Sequence, residues 1–117
     1  MLVREVRDIL SAEVITGENN MNIEVKSACG SDMMSDVLAF VKDQSLLITG
    51  LVNPQVVRTA EMMDMHCIVF VRGKRPDNEV ISLANERGIV LLATGYRMFT
   101  ACGLLFSHGL QGGNMTE

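Results

Sequence analysis

A chain of 117 residues, 48 % hydrophobic and 21 % charged, has room for one core and is neither disordered nor fibrous. A formal net charge of −4 without an extended basic stripe excludes a general nucleic-acid binder. No apolar run reaches the ~20 residues of a membrane-crossing helix, so no membrane association is expected.

The opening decapeptide carries four charges, Arg4, Glu5, Arg7 and Asp8, which disqualifies it as the apolar stretch of a secretory signal. Three widely spaced cysteines, Cys29, Cys67 and Cys102, fit reduced thiols rather than a disulfide framework. The expectation is a soluble cytoplasmic domain over 1–110, followed by a flexible polar tail over 111–117.

In chain order, Leu2, Val6, Ile9 and Leu10 recur at helical spacing and predict a short first helix ending near Ser11. Strands are expected over 13–16 and 22–26, around turn formers at 17–20. Ser31 and Asp32 can cap a second helix with Met34, Val37, Leu38 and Val41 on its apolar face. The apolar run 45–49 predicts a strand, after which Asn53 and Pro54 form an N-cap followed by proline at the first helical position. That helix presents Val56, Val57, Ala60, Met63 and Met65 inward. A fully apolar strand at 67–71 leads to a basic turn, and Asp77 opens a helix closed by Arg87 and Gly88. The third apolar strand is 89–93, and a last helix runs from about Tyr96 to His108, with Phe99, Cys102, Leu105 and Phe106 as its expected buried side.

Ile48, Val69 and Leu91 lie 21 and 22 residues apart, with one capped helix in each interval. Strands apolar throughout must be covered on both faces, and crossovers of this length make neighbours parallel. The expected fold is α/β: a layered, mainly parallel sheet of about five strands with helices packed on it, the first two strands being antiparallel additions.

Ligands of such sheets lie beyond the carboxyl ends of the strands. Here those ends read Thr49 and Gly50, then Arg72, Gly73, Lys74 and Arg75 before Pro76, then Thr94 and Gly95. A glycine at each end lets backbone approach a ligand, and the clustered cations suit a phosphate or carboxylate; the same cations equally suit a solvated turn. Asn53 joins the candidates, although capping alone explains it. Asp32 and Asp36 share a helix face without a histidine nearby, which is too little for a metal site. Cys29, before Gly30 at an expected helix start, is a candidate reactive thiol, whereas Cys67 and Cys102 read as small hydrophobes. His66 and His108 have no partner at ligand or triad spacing, and the methionine pairs Met33–Met34 and Met62–Met63 read as core or interface filler. No P-loop, dinucleotide fingerprint or nucleophile–base grouping is visible, so neither catalysis nor a cofactor is expected.

Several of these features together resemble the DRTGG domain, which is also similar to the N-terminal domain of HPr kinase/phosphorylase. They are the run Leu46, Leu47, Ile48, Thr49, Gly50; Asn53 opening a Val/Ala-rich helix; an aliphatic strand into Gly73, Lys74, Arg75, Pro76, Asp77; and 88–93 before a helix containing Phe99. The segment 30–36 resembles what stand-alone modules carry before their second helix. Many relatives have two glycines in the turn where this chain has Arg72 before Gly73. The resemblance implies an accessory, regulatory role with self-association, and no kinase activity, because the P-loop of that enzyme belongs to a separate domain. It further implies a redox or hydrogenase-related protein partner, since stand-alone members are often encountered beside such genes. The expected function is a non-catalytic regulatory or scaffold domain forming a homodimer and sensing a small ligand at the strand ends. The alternatives are an anion or nucleotide sensor at the 72–76 loop and a thiol switch at Cys29.

Overall fold

The computed structural model describes residues 1–41 and 45–113. In chain order the elements are α1 (Val3–Ile9), β1 (Glu13–Thr16), a 3₁₀ turn at Glu18–Asn20, β2 (Ala28–Gly30), α2 (Met34–Phe40) and β3 (Leu46–Thr49). They continue with α3 (Pro54–Met62), β4 (Cys67–Phe70), α4 (Asn78–Arg87), β5 (Val90–Ala93) and α5 (Met98–Ser107).

One five-stranded sheet runs in the order β1-β5-β4-β3-β2. β2, β3, β4 and β5 are parallel and in continuous register, Leu46 facing Cys67 and Cys67 facing Val90. β1 closes the other edge antiparallel to β5, with an irregularity between Val14 and Thr16. Every residue of β3, β4 and β5 is buried, as strands covered on both faces must be. Their alternating side chains feed two cores. Leu46, Ile48, Val69 and Leu92 pack with Val3, Val6, Ala101 and Leu105 of α1 and α5. Leu47, Ile68, Phe70 and Leu91 pack with Val37, Val56, Val57 and Val80 of α2, α3 and α4.

The local signals operate as their chemistry dictates. Asn53 Oδ1 accepts from the Val56 N–H at 3.3 Å with Pro54 behind it, and Asp77 Oδ1 accepts from the Val80 N–H at 3.2 Å. Gly88 ends α4 at φ 69°, a conformation glycine adopts without a Cβ penalty.

Four sequence expectations are corrected. The second strand lies at Ala28–Gly30, not 22–26, where Glu24 makes only an isolated bridge to Leu2. It is parallel, because Ala28, Cys29 and Gly30 extend the sheet beside β3 rather than returning against β1. α2 is preceded by Met33 with no side-chain cap, since Ser31 Oγ accepts from the Met33 N–H at 3.0 Å and Asp32 turns elsewhere. On α5 it is Ala101 and Leu105 that are buried, while Phe99 is 89 % exposed and Phe106 65 % exposed.

Leu110 is buried, and Gln111, assigned by the sequence to the tail, accepts from the Ala28 N–H at 2.9 Å through its carbonyl. The end of that tail, 114–117, lies outside the described residues. Among the described residues no helix is long and apolar enough to cross a membrane.

Candidate strand-end site

The parallel register brings the carboxyl ends of β3, β4 and β5 to one rim. Val71 donates its N–H to Thr49 O at 3.0 Å, and Gly73 donates to Thr94 O at 2.9 Å. Arg72 donates to Tyr96 O at 2.7 Å, which joins the start of the α5 segment to the same rim. Thr49, Gly50, Arg72, Gly73, Thr94 and Gly95 are therefore neighbours, as the sequence expects for strand ends.

The turn at the centre of the rim is tight. Arg72 and Gly73 have φ of 62° and 70°, and the Lys74 N–H closes the turn on Val71 O at 3.2 Å. Two consecutive positive φ values suit glycine–glycine, and a side chain at the first costs about 1–2 kcal/mol. Arg72 holds that position with its guanidinium against Gly50, where a Cβ would stand only 2.6 Å from Nη2 and 3.3 Å from Cζ. Gly50 is thus the residue that lets the guanidinium lie on the backbone.

Asp32 completes the arrangement and is the residue sequence reasoning misassigned. Its Oδ1 accepts from the Gly50 N–H at 2.7 Å and from the Thr49 hydroxyl at 3.0 Å. Thr49 Oγ1 in turn accepts from the Leu51 N–H at 3.2 Å. Thr94 is also engaged, donating its hydroxyl to Leu10 O at 2.7 Å and accepting from the Tyr96 N–H at 3.3 Å. Both hydroxyls lie inside the protein's own network and orient the rim.

The cations divide. Arg75 leaves the rim for a two-pronged ion pair with Glu13 of β1, at 2.5 and 3.1 Å. That guanidinium holds the Glu13 carboxyl below its ordinary range through hydrogen bonding and charge, and Glu13 raises Arg75 for the same reasons. Arg72 and Lys74 are exposed, and among the described residues neither side chain has a hydrogen-bond or ion-pair partner. Asn53 stays a helix cap.

Residues 5–107 match the DRTGG domain. The chain belongs to the DRTGG domain family. It is also similar to the crystal structure of the CBS and DRTGG domains of the regulatory region of Clostridium perfringens pyrophosphatase, complexed with the activator diadenosine tetraphosphate. The likeness has 20 % identity and a TM-score of 0.73 over 98 % of this chain, which spans 52 % of the other. At that identity the two share a fold.

Elsewhere in this DRTGG domain the thiols do not match a reactive site. Cys29 lies in β2 rather than at a helix start, and burial pushes its thiol up, with Cys102 nearby adding to the shift. Burial also raises Cys102 and, completely enclosed, Cys67. Among the described residues no group of three or more His, Cys, Asp or Glu could hold a metal ion. His108 turns its Nδ1 to Leu104 O at 2.8 Å at the end of α5.

Proposed function

We propose that this DRTGG domain is a regulatory module that takes a small phosphate-bearing metabolite of the nucleotide class at the strand-end rim. It reports occupancy through self-association, as a homodimer, rather than performing chemistry. The observation that carries this reading is Arg72, laid on Gly50 in a left-handed turn with its charge uncommitted, next to exposed Lys74. An exposed guanidinium resting at the ends of parallel strands suits phosphate oxygens, while the buried Thr49 and Thr94 hydroxyls, spent on Asp32 and on Leu10 O, brace the rim backbone. Support in kind comes from the pyrophosphatase regulatory region, whose structure carries a dinucleoside tetraphosphate.

Thermal denaturation with ATP, diadenosine tetraphosphate or inorganic phosphate tests it. A ligand at ~100 times its dissociation constant adds about 2.7 kcal/mol of stability. Arg72→Ala with Lys74→Ala removes the shift, whereas Arg75→Ala, which breaks only the pair with Glu13, preserves it. No shift with any nucleotide, or a shift that survives the double variant, rejects the rim as the site.

A further inference from the structure

We propose that the outward face of α5 is where two copies of this chain pair, antiparallel, about a two-fold axis passing between Cys102 and Gly103. This rests on the self-association above and assigns it a surface.

Phe99, Gly103 and Phe106 are spaced i, i+4, i+7 and so line one face, opposite the buried Ala101 and Leu105. Both phenylalanines stand out in water, 89 % and 65 % exposed. Beside them a groove of about 350 Å³ runs between α5, Gly30 of the edge strand β2, and Leu110. An apolar stripe with an adjoining groove is the usual mark of an interaction surface.

Gly103 is the independent observation. Glycine is the poorest ordinary residue for a helix interior, and nothing within 4 Å of a Cβ at this position explains it from inside the monomer. A second helix crossing there does explain it, because a missing side chain lets two backbones approach.

Charge selects the occupant. The chain has 10 basic and 14 acidic residues, yet 98–113 contains no Lys, Arg, Asp or Glu. In a two-fold interface each residue near the axis faces its own kind, so any charge there meets a like charge. A charge-free face tolerates its own copy, whereas a partner recognised by ion pairs would find nothing to pair with. The spacing is also self-complementary. With the axis midway between positions 99 and 106, Phe99 of one copy meets Phe106 of the other on either side of Gly103. Four phenylalanines at about 150–250 Å² each supply roughly half of the ~1,200 Å² a stable interface removes from water.

Light scattering and sedimentation of the full chain decide the matter, with circular dichroism as a check on folding. The wild-type chain is expected to be a dimer. Gly103→Leu, which improves helix propensity and fills open space, and Phe99→Ser with Phe106→Ser are expected to weaken dimerisation at least ~30-fold. In a separate measurement, oxidised Gly103→Cys chains cross-link into dimers faster than the wild type or a Ser82→Cys control on α4. A wild-type dimer unaffected by these substitutions, or a Gly103→Cys chain that still dimerises yet cross-links no faster than the control, overturns the α5 face and leaves self-association standing. A wild-type monomer overturns both.

Discussion

At the scale of single residues, burial decides what the sequence leaves open. Cys67 reads as a small hydrophobe in an apolar run, and it is wholly enclosed between Leu46 and Val90 in the sheet. Its thiol pKa is therefore raised in the folded chain, while an unfolded thiol ionises near ~8.5. The unfolded state loses this proton first, so the contribution to stability is full below ~8.5 and falls as pH rises above it, by about 1.4 kcal/mol per unit. Melting curves between pH 7.5 and 9.5 are expected to show this alkaline loss, with a shallower slope for Cys67→Ala; equal slopes refute the assignment. Cys29 and Cys102 act in the same direction but are only partly buried, so solvent weakens their share. Glu13 contributes with the opposite sign: held low by Arg75, its stabilisation is lost as pH falls through the folded value. Asp32 is the counter-example for legibility, because a carboxylate ahead of a helix has capping as its local option. Only the tertiary approach of β3 shows that it accepts from Gly50 and Thr49 instead.

At the scale of elements, rules that act within a few residues were readable and those that depend on a neighbour were not. Asn53 with Pro54 sets the start of α3, and Asp77 with Gly88 sets both ends of α4, by local backbone chemistry alone. Ile23 and Val25 alternate like a strand, but pairing belongs to Ala28, Cys29 and Gly30, residues of poor strand propensity placed by β3. α5 is apolar on every side, so periodicity cannot say which face turns inward, and ranking by size puts Phe99 and Phe106 inside where the structure has them exposed. The turn at Arg72 yields a prediction of its own. The atoms nearest a Cβ at Gly50 all belong to the far end of the Arg72 side chain, which can swing away, and Gly50 itself has no positive φ. Gly50→Ala is thus expected to leave the melting temperature within a few degrees of the wild type while lifting the guanidinium off the rim and weakening nucleotide binding. Calorimetric titration checks this, and an unchanged affinity would show that the contact between Arg72 and Gly50 has no part in holding ligand.

At the scale of the whole molecule, the 21- and 22-residue spacing of three aliphatic strands was enough to foresee a parallel sheet with one glycine-marked rim. The same geometry links the two proposed surfaces. Arg72 donates its N–H to Tyr96 O at 2.7 Å, two residues before α5 begins, and Thr94 accepts from the Tyr96 N–H. If a ligand draws the 72–74 turn toward its phosphates, the bond to Tyr96 O is expected to carry the displacement to the start of α5 and to Phe99, the second residue of that helix. Binding at the rim and pairing through α5 then share a coupling free energy, and such coupling is reciprocal. If nucleotide tightens the dimer by some factor, the dimer must bind nucleotide more tightly than the monomer by the same factor, typically about 5–150-fold. Sedimentation with and without ATP measures one side; titrating ATP into wild-type and Gly103→Leu chains measures the other, since Gly103 is remote from the rim turn in sequence and its Cβ meets nothing. Unequal factors contradict the linkage. Two factors of one establish that the rim and the helix face work independently, and the domain would then be a binding module on a passive dimer rather than a sensor.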